Sequence, residues 1–185
     1  MTLSILCHVN GPLRQNCYIV ANDGGEALIV DPGSDGGVIA GILEENGWRA
    51  LAIINTHGHF DHIGAVADLM ERLNAPFYLH GGDIDMLRRA NLYALVFGSR
   101  QPISVPEISV DLKNESTPVM IGDFSVEWIE TPGHTPGGVC YIIEECLFSG
   151  DTILPGKMSQ MKLPGANDEE LAHSLRKLDD LSRDL

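Results

Sequence analysis

Apolar residues along this chain recur with two different periods, and the alternation between them predicts an α/β fold. Asn16 to Ala21 and Ala27 to Val30 are short apolar, β-branched runs joined by Asn22-Asp23-Gly24-Gly25, so they predict a hairpin that Asp31-Pro32-Gly33 terminates. From Gly36 to Asn46 the positions Val38, Ile39, Ile42 and Leu43 repeat at helical spacing, and Gly47 closes that helix. Leu51 to Ile54 predicts a buried strand. The polar segment Thr56 to His62 follows, then a helix over Ile63 to Leu73 with Val66, Leu69, Met70 and Leu73 on one side. Phe77 to Leu79 is a further strand, and Asp83 to Asn91 a short helix.

Asn91 to Ser116 has weak periodicity and two prolines, Pro102 and Pro106, and reads either as a long binding loop or as a pair of poorly marked elements. Val119 to Ile121, Phe124 to Ile129, Val139 to Ile143 and Cys146 to Phe148 predict four strands with tight turns. Asn167 to Leu181 predicts a closing helix, with Asn167 and Glu170 as a variant capping box and Leu171, Leu175, Leu178 and Leu181 as its apolar stripe. This order suggests two β-rich layers with helices outside.

Composition narrows the picture. A length of 185 residues suits one domain spanning 1–185. The balance of 12 Lys plus Arg against 26 Asp plus Glu, a net charge of −14 without a basic run, argues against nucleic acid or an anionic membrane as partner. Met1 to Val20 has no basic region ahead of its apolar residues, and no apolar run approaches the roughly 18 residues of a membrane span. Cys7, Cys17, Cys140 and Cys146 form no CxxC pair or disulfide framework, and Cys140 and Cys146 read as buried thiols. A cytoplasmic protein acting on a small-molecule substrate is the expectation.

Three of the seven histidines fall in His57-Gly58-His59-Phe60-Asp61-His62. At this composition the pattern arises by chance about once in a thousand shuffles. It follows a buried strand and precedes a helix, which puts it at a sheet end, where α/β folds place sites. Neutral imidazoles with a carboxylate suit Zn²⁺, Fe²⁺ or Mn²⁺. A loop can turn His57 and His59 toward one ion while Asp61 and His62 face another, and neither ion is complete from this segment alone. Thr131-Pro132-Gly133-His134-Thr135-Pro136-Gly137 and Ser149-Gly150-Asp151-Thr152 each add one potential ligand in a glycine-containing turn after a strand. His8, His80 and His173 are expected to be structural or solvated.

These segments, with Val30-Asp31-Pro32-Gly33, resemble the metallo-β-lactamase fold hydrolases, most closely the glyoxalase II (hydroxyacylglutathione hydrolase) branch, in the right order along almost the whole chain. The resemblance implies an αββα sandwich, two β-sheets flanked by helices. It implies that His57, His59 and His134 bind a first divalent ion, that Asp61 and His62 bind a second, and that Asp151 bridges them, zinc being the leading metal and iron or manganese the alternatives. Asp31 would support the site from behind the ligands, or simply cap a turn, and Gly58 would matter for small size and backbone freedom. The implied chemistry is attack by a metal-bound hydroxide on a small ester or thioester, with a hydroxyacylglutathione thioester as the leading example and Asp61 orienting or relaying a proton. Two alternatives stand beside it. One is a mononuclear iron persulfide dioxygenase of the same fold, using His57, His59 and Asp151. The other is a non-catalytic or partner-dependent metal-binding module.

The chain also departs from that pattern. Relatives of this branch continue into another strand and a PGHG-like turn whose histidine completes the second site, whereas this sequence stops at Leu185. The expectation is a C-terminally short domain, or a second site that is weak. No GRxD-like segment follows Asp151, and a glutathione clamp would have to come from Arg88, Arg89, Arg100, Lys157 or Lys162.

Overall fold

The computed structural model describes residues 1–99, 101–154 and 165–183. Among them are ten strands: β1 Leu3–Asn10, β2 Gln15–Asn22, β3 Glu26–Val30, β4 Arg49–Ile54, β5 Phe77–Leu79, β6 Val110–Asp111, β7 Val119–Ile121, β8 Phe124–Glu130, β9 Val139–Ile143 and β10 Cys146–Phe148. Five α-helices accompany them: α1 Gly36–Asn46, α2 Phe60–Ile63, α3 Val66–Leu73, α4 Ile84–Val96 and α5 Asp168–Arg183. One sheet runs β1-β2-β3-β4-β5-β6, antiparallel up to β3 and parallel from β3 to β6. The other is antiparallel, in the order β10-β9-β8-β7.

Side-chain alternation explains the layers. Along β2, β3 and β4, Ile19, Ala27, Ile29 and Ile53 face a core shared with Ile39, Leu43, Val66, Leu69 and Leu87 of the helices. Their neighbours Val20, Leu28, Val30, Ala52 and Ile54 face a second core shared with Phe124, Trp128, Tyr141 and Phe148 of the other sheet. A strand covered on both faces needs apolar residues at every position, which is why β3 and β4 read as continuous apolar runs. Helix α5 meets the far sheet, Ser174 Oγ donating to the Pro132 carbonyl at 2.7 Å and Leu178 being buried. This is the αββα arrangement, with two sheets between helices.

Several expectations change. Strand β1 was not foreseen, because its exposed Ile5, Cys7 and Val9 mark an edge strand with one open face. In α1 the stripe is Ile39 and Leu43, while Val38 is 52% exposed. The helix expected over Ile63 to Leu73 is two pieces, because the Asp31-Pro32-Gly33 turn presses against its middle. Ala65 N–H donates to the Pro32 carbonyl at 3.0 Å, and a Cβ on Gly64 would lie 2.3 Å from the Gly33 carbonyl oxygen. Helix α4 begins one residue later than expected and continues to Val96, so Leu92, Leu95 and Val96, read as irregular, sit on its exposed side. Beyond it the described residues are irregular until β6, and Asn91 holds this stretch, its side chain bonding both the N–H and the carbonyl of Ile103. In α5, Asn167 Oδ1 accepts from the N–H groups of Glu169 and Glu170, but Leu175 and Leu181 are largely exposed. Among the described residues no helix is long and apolar enough to cross a membrane.

The parallel strands β3, β4 and β5 all end at one edge of the sheet, and Asp31, Thr56 to His62 and Asp83 follow directly. That edge is held by close backbone approach. A Cβ on Gly33 would lie 1.5 Å from the Asp61 carbonyl oxygen, whereas one on Gly37, in α1, would meet nothing within 4 Å. Gly33→Ala is therefore expected to cost about 1–3 kcal/mol or more in urea unfolding and to displace α2, while Gly37→Ala gains about 0.4–1 kcal/mol. Equal effects of the two substitutions would contradict this packing.

Candidate metal centre

The expected ligands come from the segments that follow three strands, β4, β8 and β10. His57 and His59 follow β4, Asp61 and His62 lie in α2, His134 follows β8, and Asp151 follows β10. The structure brings these six residues together. A ring nitrogen from each of His57, His59 and His134 lies within 4.8 Å of the others. His59 Nδ1 and His134 Nε2 are 3.0 Å apart. Asp151 stands between the two halves of the cluster, Oδ1 at 3.4 Å from His62 Nε2 and Oδ2 at 3.4 Å from His134 Nε2. Asp61 Oδ2 is 3.7 Å from the same His62 nitrogen.

Behind this layer a hydrogen-bond chain sets the tautomers. Asp31 Oδ1 accepts from the Thr56 N–H at 2.7 Å, and Oδ2 accepts from the Thr56 hydroxyl at 2.7 Å. With its proton committed to Asp31, the Thr56 oxygen is an acceptor, so the contact of 3.0 Å with His57 Nδ1 puts the proton on that nitrogen. His57 Nε2 is then left as a lone pair, buried and without a hydrogen-bond partner among the described residues. Burial and the neighbouring His62, His59 and His134 hold His57 neutral, its pKa well below the ordinary histidine value. A neutral imidazole aiming an unpaired, buried nitrogen at two other imidazoles fits a divalent ion.

His62 is the counterpart. Its Nδ1 lies 3.2 Å from Asp31 Oδ2 and its Nε2 faces Asp61 and Asp151. Burial alone would lower its pKa, but Asp61, Asp31 and Asp151 raise it well above the ordinary value. The carboxylates that favour a proton on His62 would favour a cation there as well, since metal binding displaces ligand protons. Asp151 is pushed up by burial, yet the hydrogen bond and charge of His62, with the charges of His134 and His59, bring it down to about 2. Burial raises the Asp61 carboxyl. Asp31, His57 and His62 form a second close group of three donors. Because Asp31 sits on the Nδ1 side of His62 and spends both oxygens on Thr56, it orients the imidazoles rather than closing their open side. It does so with a left-handed backbone, φ 52°, a conformation that Asp tolerates better than most residues.

Asp83 is a part of this centre that motif reading missed. Its carboxylate is 0% exposed and accepts from the Gly58 N–H at 2.8 Å, the Thr135 hydroxyl at 2.8 Å and the Gly137 N–H at 2.6 Å. It therefore ties the His57–His59 loop to the His134 loop with one group. Burial raises its pKa against the opposing pull of Thr135, Gly58 and Gly137. The available signal was an acidic residue in Gly81-Gly82-Asp83, directly after a parallel strand. Gly58 has no left-handed backbone, and what it supplies is space, since a Cβ there would lie 3.1 Å from Asp83 Cβ. Gly150 needs both freedoms, with φ 48° and a Cβ position 2.1 Å from Thr56 Oγ1.

The other histidines stand apart. His80 Nδ1 accepts from the Gly82 N–H at 3.2 Å, His8 pairs with Asp35 at 3.5 Å, and His173 is exposed. Cys140 is buried in β9 and Cys146 is half-buried. Of the cations considered for a glutathione clamp, Arg88 pairs with Asp85 at 3.3 Å on α4, while Arg100, Lys157 and Lys162 lie outside the described residues. A cavity of about 360 Å³ opens over the centre, reaching His59, Asp61, His62, His134 and Asp151.

Comparison with known proteins agrees with this construction. Residues 10–185 match the Metallo-beta-lactamase superfamily. The chain is 36% identical over 168 residues to a Bacillus subtilis (strain 168) protein named "Probable metallo-hydrolase YqgX", covering 89% of this chain and 78% of that protein. Among solved structures, BLEG-1, described as a B3 metallo-beta-lactamase, superposes with a TM-score of 0.84 at 32% identity, covering 94% of this chain and 84% of that one. TTHA1623, solved in a di-iron-bound form, superposes with a TM-score of 0.80 at 34% identity, covering 94% and 85%. This chain belongs to the metallo-beta-lactamase superfamily.

Asp83→Asn keeps the size of the side chain but presents an amide N–H₂ to a pocket of donors. It is expected to weaken divalent-metal affinity about 10–100-fold, measured by competition with a chromophoric chelator. Unchanged affinity in a folded variant would show that the two loops hold their places without it.

Proposed function

We propose that this superfamily member is a metal-dependent hydrolase of small esters or thioesters, holding one ion at His57, His59 and His134 and a second at Asp61 and His62, with Asp151 shared between them. The observation that carries the reading is His57, whose Nε2 is buried and unpartnered among the described residues and which offers a ring nitrogen within 4.8 Å of ring nitrogens of His59 and His134. Zinc is the first choice for three imidazoles and a carboxylate, and the di-iron form of TTHA1623 supports iron as the alternative. When bound, such ions supply Lewis-acid activation of water and of a carbonyl oxygen.

The protein's own residues do the rest. Thr56 and Asp31 hold His57 and His62 in the orientation and tautomer that a ligand needs. Asp61, in the cavity wall beside His62, accepts a proton from the attacking water and returns it to the leaving group. The apolar residues around the cavity limit competing water. Asp61 and His62 line the same cavity as His59, His134 and Asp151, and this supports hydrolysis over the persulfide dioxygenase reading, which uses only His57, His59 and Asp151. A hydroxyacylglutathione thioester remains the leading example of a substrate.

The test is metal analysis of the native protein together with a screen of S-lactoylglutathione, simple thioesters, lactones, a β-lactam and a persulfide. Hydrolysis with metal bound is expected, and Asp61→Asn should lower kcat by about 10²-fold or more while keeping its metal. Oxygen uptake with the persulfide and no hydrolysis would overturn the reading. An Asp61→Asn variant with full metal and undiminished turnover would remove the role given to Asp61.

A further inference from the structure

The cavity over the centre is not uniform. Its walls away from His59, Asp61, His62, His134 and Asp151 include Leu13, Phe60, Tyr93, Phe97, Phe148 and Leu154, with the Phe60 and Phe97 rings packed at a centroid distance of 5.6 Å. Arg14 is the one Lys or Arg among the described residues that line it. Arg14 ends the turn between β1 and β2, its N–H donating to the Gly11 carbonyl at 3.1 Å. Its φ is 56°, in the left-handed region where Gly or Asn is the usual choice, so a bulky cation here carries a backbone cost that the turn itself does not require. Arg49, Arg72 and Arg88 each hold a carboxylate, whereas Arg14, unlike them, holds none among the described residues and alone among the described Lys and Arg residues lines the cavity, in a chain of net charge −14. An unpaired guanidinium at the mouth of an apolar cavity matches an anionic group at the end of an apolar chain.

We propose that the substrate has an apolar chain beside its scissile carbonyl and that this chain ends in a carboxylate bound by Arg14. The inference rests on the hydrolase reading above and names its substrate class. In the reaction a C–O bond forms from water to the acyl carbon, the C–S or C–O bond to the leaving group breaks, and the leaving thiolate or alkoxide takes a proton, giving a carboxylic acid and a thiol or alcohol. The chain and its carboxylate belong either to the acyl part or to the leaving group, and both offer Arg14 the same chemistry.

Two thioester series on the metal-loaded protein test this and separate those sources. One varies the acyl part from acetyl through pentanoyl to glutaryl on a fixed neutral thiol. The other keeps acetyl and compares propanethiol with 3-mercaptopropionate as leaving group. In one series kcat/KM should rise about threefold per methylene, and the carboxylate member should exceed its neutral counterpart about tenfold or more. Arg14→Gln should abolish that preference while leaving the neutral member within about twofold, and Arg14→Lys should restore part of it. Calorimetry with non-hydrolysable thioethers, carboxylate against methyl ester, should show the same preference in binding, lost in Arg14→Gln. Flat series, or an Arg14→Gln loss shared equally by neutral and anionic members, would overturn the proposal. The expected binding preference without any turnover would support the Arg14 site and sink the hydrolase reading alone.

Discussion

The whole centre depends on one buried carboxylate outside the ligand set. Asp83 lies where strand β5 ends, and its two oxygens take hydrogen bonds from Gly58 and from Thr135 and Gly137. The first belongs to a loop on the six-stranded sheet and the other two to a loop on the four-stranded sheet. The histidines that must meet therefore come from opposite layers of the sandwich, and they meet because a single acceptor fixes both backbones. The Val139 N–H, donating to the Thr56 carbonyl at 2.9 Å, adds a direct bond between the layers at the same edge. Four imidazoles and three carboxylates are crowded beside this clamp, an arrangement that would be costly in an apolar interior unless each charge or lone pair had a partner.

Asp31 solves the complementary problem. It is buried and left-handed, and it takes the Thr56 N–H and hydroxyl while lying beside His62 Nδ1. One residue thus sits beside one histidine directly, 3.2 Å from His62 Nδ1, and reaches another, His57, through Thr56. Against its burial, the neighbouring carboxylates raise His62 above the ordinary histidine value, and His62 in turn helps lower the Asp151 carboxyl.

Much of this was legible in the sequence. The spacing of His57, His59, Asp61 and His62 after a buried strand is specific enough to mark the cluster, and the turns of His134 and Asp151 after later strands pointed to the two further residues that the fold brings to it. Interior strands were legible because both faces are apolar, as with Leu28 and Ile29 in β3. Edge strand β1 was not, since half of its side chains face outward and its pattern resembles loop sequence. The outer part of α4 escaped because Leu92, Leu95 and Val96 are apolar yet exposed, which breaks the rule by which helical stripes are recognised. Asp83 escaped for a different reason. A carboxylate that accepts only backbone and hydroxyl hydrogen bonds leaves no spacing pattern, because its partners lie 25, 52 and 54 residues away. The left-handed backbone at Arg14, φ 56°, is likewise not announced by the sequence of its turn.

The central claim is that these six side chains form a two-ion centre assembled from both sheets. Anomalous diffraction from crystals grown with zinc tests it most directly. The account predicts one anomalous peak among His57, His59 and His134 and another among Asp61 and His62, with Asp151 reaching both. A peak held by other residues, or crystals saturated with zinc that show no peak within this cluster, would contradict it.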